Sequence, residues 1–433
     1  MDTNLDLVTR RAFLRTSLLG AALSWTVPVF IERTFMTLNA QAADSSVQTM
    51  TGKDHPIIVV IQLAGGNDGL NTIIPFQDDL YFRARPKLAI PKNQVIPIDS
   101  LNGFNPSLAA LKGIYDDGNL AIIQGVGYPN PNRSHFRSTE IWQTASDSRQ
   151  NLTKGWIGRY FDNCCAGEDP TVGVVIGQQL PEAFNAENPT GVAIGRPGNL
   201  GFDREPGPDE ARLFEELNGL DPAAMSGDSI GSLAGPNSSG MSALEYLQRT
   251  ALDAQVSTDK IRKVLKGTVN DAVYPKNRLG NSLSLISRLI AGELPTRVYY
   301  ASQGGYDTHA GQANTHKRLL SELGESLAAF CHDLKAKGIF DRVIVMTFSE
   351  FGRRVAENAN GGTDHGTAAP MFICGAGVKP GLYGKQPSLD RLDAGDLFYN
   401  VDFRSVYSTI LSQWMKAPAA QVLGRDFPNL DFV

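Results

Sequence analysis

Cysteine is scarce in this chain. There are four in 433 residues: Cys164 and Cys165 are adjacent, Cys331 sits in a helical pattern and Cys374 in an apolar run. That makes neither a disulfide framework nor a C-x-x-C metal or redox motif, so the thiols read as packing residues. An excess of positive charge is missing too. With 40 Lys and Arg against 45 Asp and Glu, net −5, the chain has no electrostatic footprint for nucleic acid. No run after residue 43 is long and apolar enough to span a bilayer, and no period marks a repeat architecture. What remains is a globular chain, 42% hydrophobic and 20% charged, able to bury a large core. Its 43 glycines and 24 prolines forecast many shaped loops.

The N-terminus reads as an address. Thr9-Arg-Arg-Ala-Phe-Leu-Arg15 resembles the twin-arginine export signature, residues 16–31 are moderately apolar, and Ala40-Gln-Ala42 is a small-residue cleavage site. A membrane anchor is the alternative, but the apolar run is short and contains Pro28. Residues 1–42 are therefore expected to be a signal peptide. Residues 43–433 would form a single domain, carried by the twin-arginine machinery to the periplasm or beyond, with no stable membrane span.

Beyond it, β-branched runs alternate with helical periodicity. Ile57–Leu63, Leu120–Gln124, Arg297–Ala301, Arg342–Phe348 and Met371–Cys374 read as strands buried on both faces of a largely parallel sheet. Helices are expected near 106–117, after Ser134, over 242–274, 281–292 and 315–336, and near 404–415. A Gly-, Pro- and Ser-rich stretch at 196–241 reads as a loop insertion or lid. The fold class is α/β, a three-layer sandwich.

Polar residues recur where these strands end. Asn67 and Asp68 follow the first strand, although an Asx turn explains them equally well. Ser134 follows the second, at a helix start where free N–H groups favour an oxyanion; an ordinary N-cap serine is the plainer account. Asp307 and His309 follow the third, and Glu350 the fourth, where pairing with Arg353 or Arg354 is its alternative role. Gly361-Gly-Thr-Asp-His-Gly366 then supplies Asp364 and His365. Carboxyl ends of parallel strands share one rim, so these distant residues can meet. Carboxylates with imidazoles suit Zn, Mn or Mg, as one ion or two. His55, His316 and His332 read as solvated or structural.

These stretches, together with Arg83-Ala-Arg-Pro86 and Glu140-Ile-Trp-Gln143, resemble an exported family of unknown function within the alkaline phosphatase and sulfatase superfamily. The resemblance implies an alkaline-phosphatase-like fold and a metal-dependent hydrolase of phosphate or sulfate esters. On that pattern Ser134 is the nucleophile, and Asp68, Asp307, His309, Glu350 and His365 are the metal ligands. Glu350 stands where the superfamily has an adjacent Asp and His, which leaves the metal beside Asp68 short of a histidine. Asn67, His135 and Asp364 are at hand to fill that gap. Asp364 is also placed to orient a ligand imidazole, and Arg133 or Arg137 to hold the anionic ester. The rival expectations are a non-catalytic exported protein of the same fold, in an envelope or surface assembly, and a hydrolase of another bond.

Overall fold

The computed structural model describes residues 55–165, 169–187, 191–195 and 257–433. The signal peptide expected at 1–42 and the insertion expected at 196–241 lie outside these residues.

A nine-stranded sheet organises the chain. In chain order its strands are β1 (Ile57–Ala64), β2 (Leu120–Gly127), β3 (Gly173–Ile176), β4 (Val192–Ile194), β5 (Val298–Gly304), β6 (Val343–Phe348), β7 (Ala369–Gly375), β8 (Gly381–Tyr383) and β9 (Val401–Asp402). Across the sheet they run β8-β2-β7-β6-β1-β5-β3-β4, with β9 also pairing with β2. Every pairing is parallel except the two made by β7. The run Ile57–Leu63 is buried throughout, as a central strand covered on both faces requires.

Helices cover both faces. The described helices include α1 (Asp79–Ala84), α2 (Ala109–Asp116), α3 (His135–Thr144), α4 (Trp156–Cys164), α5 (Arg278–Ala291), α6 (Gln312–Ala336), α7 (Phe403–Thr409) and α8 (Ala419–Leu423), and residues 257–267 are helical as well. Helices α2 and α5 pack on α6, while α4 packs with α3 and α8, and α8 with α7. The two groups take opposite faces. Cys374 of β7 lies directly across from Val345 of β6 and meets Cys331 of α6. Phe348, an odd number of residues from Val345, therefore points the other way, where its ring stacks on Trp142 of α3 at 5.4 Å. The result is a mixed α/β sandwich around a largely parallel sheet.

The reversed strand matters for the site. Because β7 runs against its neighbours, its start lies on the rim where β1, β2, β5 and β6 end. The loop 361–366, which precedes β7, is thereby delivered to the same rim as Asp307 and Glu350.

Candidate metal centre

His135, Asp307 and His365 present side-chain ligand atoms that all lie within 4.8 Å of one another, an arrangement suited to a single divalent metal ion. Each arrives on a different element: His135 as the first residue of α3, Asp307 after β5, and His365 in the loop before β7. His309 joins them, with its Nε2 3.0 Å from His365 Nε2 and 3.1 Å from Asp307 Oδ1. His365 Nε2 is likewise 3.1 Å from Asp307 Oδ1, and His135 Nε2 is 3.4 Å from Asp307 Oδ2.

The far side of each ring fixes which nitrogen faces inward. His365 Nδ1 is 2.8 Å from the carbonyl oxygen of Arg133, which can only accept, so Nδ1 carries the proton. His135 Nδ1 lies 2.8 Å from Glu350 Oε1 and His309 Nδ1 lies 3.2 Å from Asp364 Oδ1; both donate to carboxylates. In the neutral rings, three Nε2 lone pairs are then aimed at Asp307. Two lone pairs 3.0 Å apart repel unless positive charge sits between them, either a proton on one ring or a metal ion. His135 Nε2 is also buried and has no hydrogen-bond partner. Coordination at about 2.1 Å places neighbouring ligand atoms about 3.0–3.4 Å apart, so the donor set fits a divalent ion. Imidazoles held through Nδ1–H by carboxylate or carbonyl oxygens are the usual support of metal-binding histidines.

Beneath the rings lies Phe351, its centroid 4.9 Å from His135 and 4.6 Å from His365. Beside it Arg353, 1% exposed, reaches Gly66 O at 2.7 Å, Thr363 O at 2.9 Å and Tyr306 O at 3.0 Å. It also donates to Gly65 O and, at 2.7 Å, to Asp307 Oδ1. Burial raises the Asp307 carboxyl, but the hydrogen bond and positive charge of Arg353 oppose it, and the group is held at about 2. The approach of these loops depends on glycine. Gly65 has φ +118°, and a Cβ there would stand 2.4 Å from the Asp307 nitrogen; one on Gly362 would stand 2.3 Å from the His309 carbonyl carbon.

Several residues singled out from the sequence stand elsewhere. Asp68, expected as a ligand, is 1% exposed and its Oδ2 is 2.6 Å from Arg85 Nη1. It also accepts from Gln312, and its Oδ1 takes the Asn71 N–H at 3.4 Å. Both of its oxygens are thus engaged by neighbouring side chains and backbone. Its partner Asn67 is buried, accepting from His316 Nε2 at 3.0 Å and Thr72 at 3.2 Å. Glu350, the other expected ligand, is 2% exposed and spends Oε1 on His135 and on the Gly65 N–H at 2.8 Å. Those bonds fix the orientation of the His135 ring. Arg137 bonds Glu140 and the carbonyls of Asp147, Ser148 and Gln150, which turns it from the cluster. Arg133 pairs with Asp396. Ser134 is exposed, and as the N-cap residue of α3 its side chain makes no capping bond. Asp364 accepts from His309 and from Asn358, 3.2 Å away. Of the histidines set aside, His316 is buried and hydrogen-bonded, and His55 is buried.

Residues 121–428 match the family model described as a protein of unknown function, DUF1501. The chain belongs to the DUF1501 family. No curated protein matches it. Among solved structures, this DUF1501 chain is similar to a protein in the alkaline phosphatase superfamily from Vibrio parahaemolyticus, at 10% identity and TM-score 0.36, covering 87% of this chain and 70% of that one. The C-terminal periplasmic domain of EcEptC from Escherichia coli has 9% identity and TM-score 0.36, with 85% and 84% covered. The PsFucS1 sulfatase from Pseudoalteromonas sp. has 10% identity and TM-score 0.34, with 87% and 71% covered. Likeness at this level assigns none of their reactions to the DUF1501 chain. Among its described residues, no helix is long and apolar enough to cross a membrane.

Proposed function

We propose that this DUF1501 protein is an exported metal-dependent hydrolase of phosphate or sulfate esters. The observation that carries the reading is the convergence of three Nε2 atoms on Asp307, each ring fixed through Nδ1 by Glu350, Asp364 or the Arg133 carbonyl. His135, Asp307 and His365 would hold one divalent ion, Zn, Mn or Mg, with His309 as the fourth donor. When bound, such an ion supplies Lewis acidity to an ester oxygen and lowers the pKa of a coordinated hydroxyl.

The chain's own residues account for the rest. Ser134 is the proposed nucleophile: its hydroxyl is exposed, caps nothing, and precedes the ligand His135 on a ten-residue helix. The first N–H groups of α3 and the helix dipole favour negative charge developing there. Arg133 and Arg354, both partly exposed and paired with the buried Asp396, are the proposed partners of the anionic ester. Export is inferred from Thr9–Arg15 and Ala40–Ala42, with the twin-arginine machinery as a partner and a periplasmic or extracellular destination.

One observation favours a second reading. Arg85 and Gln312 close off Asp68, so the first-strand acid is unavailable to a second ion, and the protein would be a non-catalytic relative keeping one structural metal. Metal content of the purified protein and turnover of aryl phosphate and aryl sulfate esters by it and by Ser134→Ala separate the two. Turnover that requires metal and is abolished in Ser134→Ala supports the hydrolase. Bound metal without turnover supports the structural role. Less than one ion per chain, with no turnover after Zn or Mn is added, overturns both.

A further inference from the structure

Two thiols that looked unrelated in the sequence meet in the fold. Cys331 of α6 and Cys374 of β7 bring their Sγ atoms to 3.1 Å across the layer between helix and sheet. Both are free thiols, 3% and 1% exposed. A disulfide needs about 2.05 Å between the sulfurs, so closure asks about half an ångström of each side chain, within reach of a small χ1 rotation. The competing thiols are far off in the fold: Cys164 and Cys165 end α4, on the opposite face of the sheet.

We propose that Cys331 and Cys374 are a covalent modification site, forming an intramolecular disulfide that closes the segment carrying Glu350, Arg353, Asp364 and His365. One thiolate attacks a low-molecular-weight disulfide, RSSR, such as oxidised glutathione, and expels one thiol. The second thiolate then displaces the other thiol from the mixed disulfide. Two protein thiols and one RSSR thus give one protein disulfide and two RSH; the protein is oxidised by two electrons and the oxidant reduced by two. The attacking species is the thiolate. In the closed core the adjacent Cys331 thiol, with burial, holds the Cys374 thiol well above its ordinary range, so the exchange belongs to folding and not to the finished protein. A chain folded under reducing conditions keeps both thiols, and one folded in an oxidising compartment loses them.

The test is to unfold the full chain with reductant, refold it with reduced and oxidised glutathione, block free thiols and map peptides without reduction. The expected result is a peptide pair joining Cys331 to Cys374 in most chains, with Cys164 and Cys165 alkylated. Against the reduced chain, the unfolding equilibrium constant should fall by roughly 100- to 1,000-fold, an effect absent from Cys331→Ala. A Cys164→Ser/Cys165→Ser variant should give the same bond, and the same mapping on protein folded in an oxidising compartment is a second arm. Alkylation of both Cys331 and Cys374 in chains with native circular dichroism overturns the proposal, as does pairing of either with Cys164 or Cys165.

Discussion

Replacing Asp68 with Asn separates two accounts of the first strand's acid. If Asp68 held a metal, the variant would lose metal and keep most of its stability. The structure predicts the reverse, because Asp68 and Arg85 are 1% and 0% exposed and meet at 2.6 Å. Removing one partner of a buried ion pair leaves the other uncompensated, at a cost of about 3–5 kcal/mol. In Asp68→Asn the guanidinium keeps Val355 O and Arg354 O at 2.8 Å and Asn71 Oδ1 at 2.9 Å, which puts the cost near the lower end, about 3 kcal/mol. Arg85→Met strips those bonds as well and strands a carboxylate, so about 5 kcal/mol is expected. The double variant should lose less than the sum, since neither charge remains. Against a total stability of roughly 5–15 kcal/mol these losses are readily seen in urea unfolding, with metal content measured on the same samples. The pH sign follows from Asp68: burial raises its carboxyl, but Arg85 lowers it further, and the net shift is downward. Its contribution is present above the ordinary carboxylate range and is lost as pH falls through the depressed value. Stability within about 1 kcal/mol of wild type, with metal lost, would refute the ion-pair assignment.

Two other measurements probe the surroundings. Glu350→Gln and Asp364→Ala each weaken the acceptor that fixes a histidine tautomer, and should lower metal affinity about 10-fold or more in competition with a chromophoric chelator; unchanged affinity in both would show that neither carboxylate supports a ligand. His316 is pushed down to about 4 by burial, with Arg85 and Arg353 adding to it and Asp68 opposing. The unfolded chain then binds the extra proton between about pH 6.5 and pH 4. Stability is full above that window and falls by about 3 kcal/mol across it as pH drops. His316→Phe should flatten that part of the urea-midpoint profile, and an equal slope in the variant would exclude His316 as the titrating group.

Periodicity made the scaffold readable. Ile57–Leu63 and Arg342–Phe348 announce buried strands because a continuous β-branched run has few other uses, and the strand-end rule brings Asp307 and His365 together. The rule is silent on what a side chain meets once it is there. Asp68 sits at a strand end, yet Arg85, seventeen residues on by number, folds back onto it. Local sequence offers no sign of that return beyond an arginine before Pro86. His135 was overshadowed by its neighbour Ser134, and its role depends on Glu350, a contact across 215 residues. Arg353 looked like a salt-bridge partner for Glu350, because a buried guanidinium bonded mainly to loop carbonyls has no local pattern.

That arginine explains why the centre has the form it does. The carbonyls of Gly65 and Gly66 follow β1, those of Tyr306 and Thr363 belong to the loops bearing Asp307 and His365, and all four accept from one side chain. Backbone bonds from Thr363 to Thr308 and from Gln312 to Gly361, at 3.2 and 2.9 Å, tie the last two loops together. The candidate ligands are therefore positioned by a fixed cation. The same cation stands 2.7 Å from Asp307, which keeps that carboxylate ionised near neutral pH while offsetting part of its charge. A centre built this way draws its affinity mainly from neutral imidazoles aimed by their Nδ1 partners, with the single carboxylate already shared. Its selectivity should accordingly follow the preference of nitrogen ligands for zinc over magnesium.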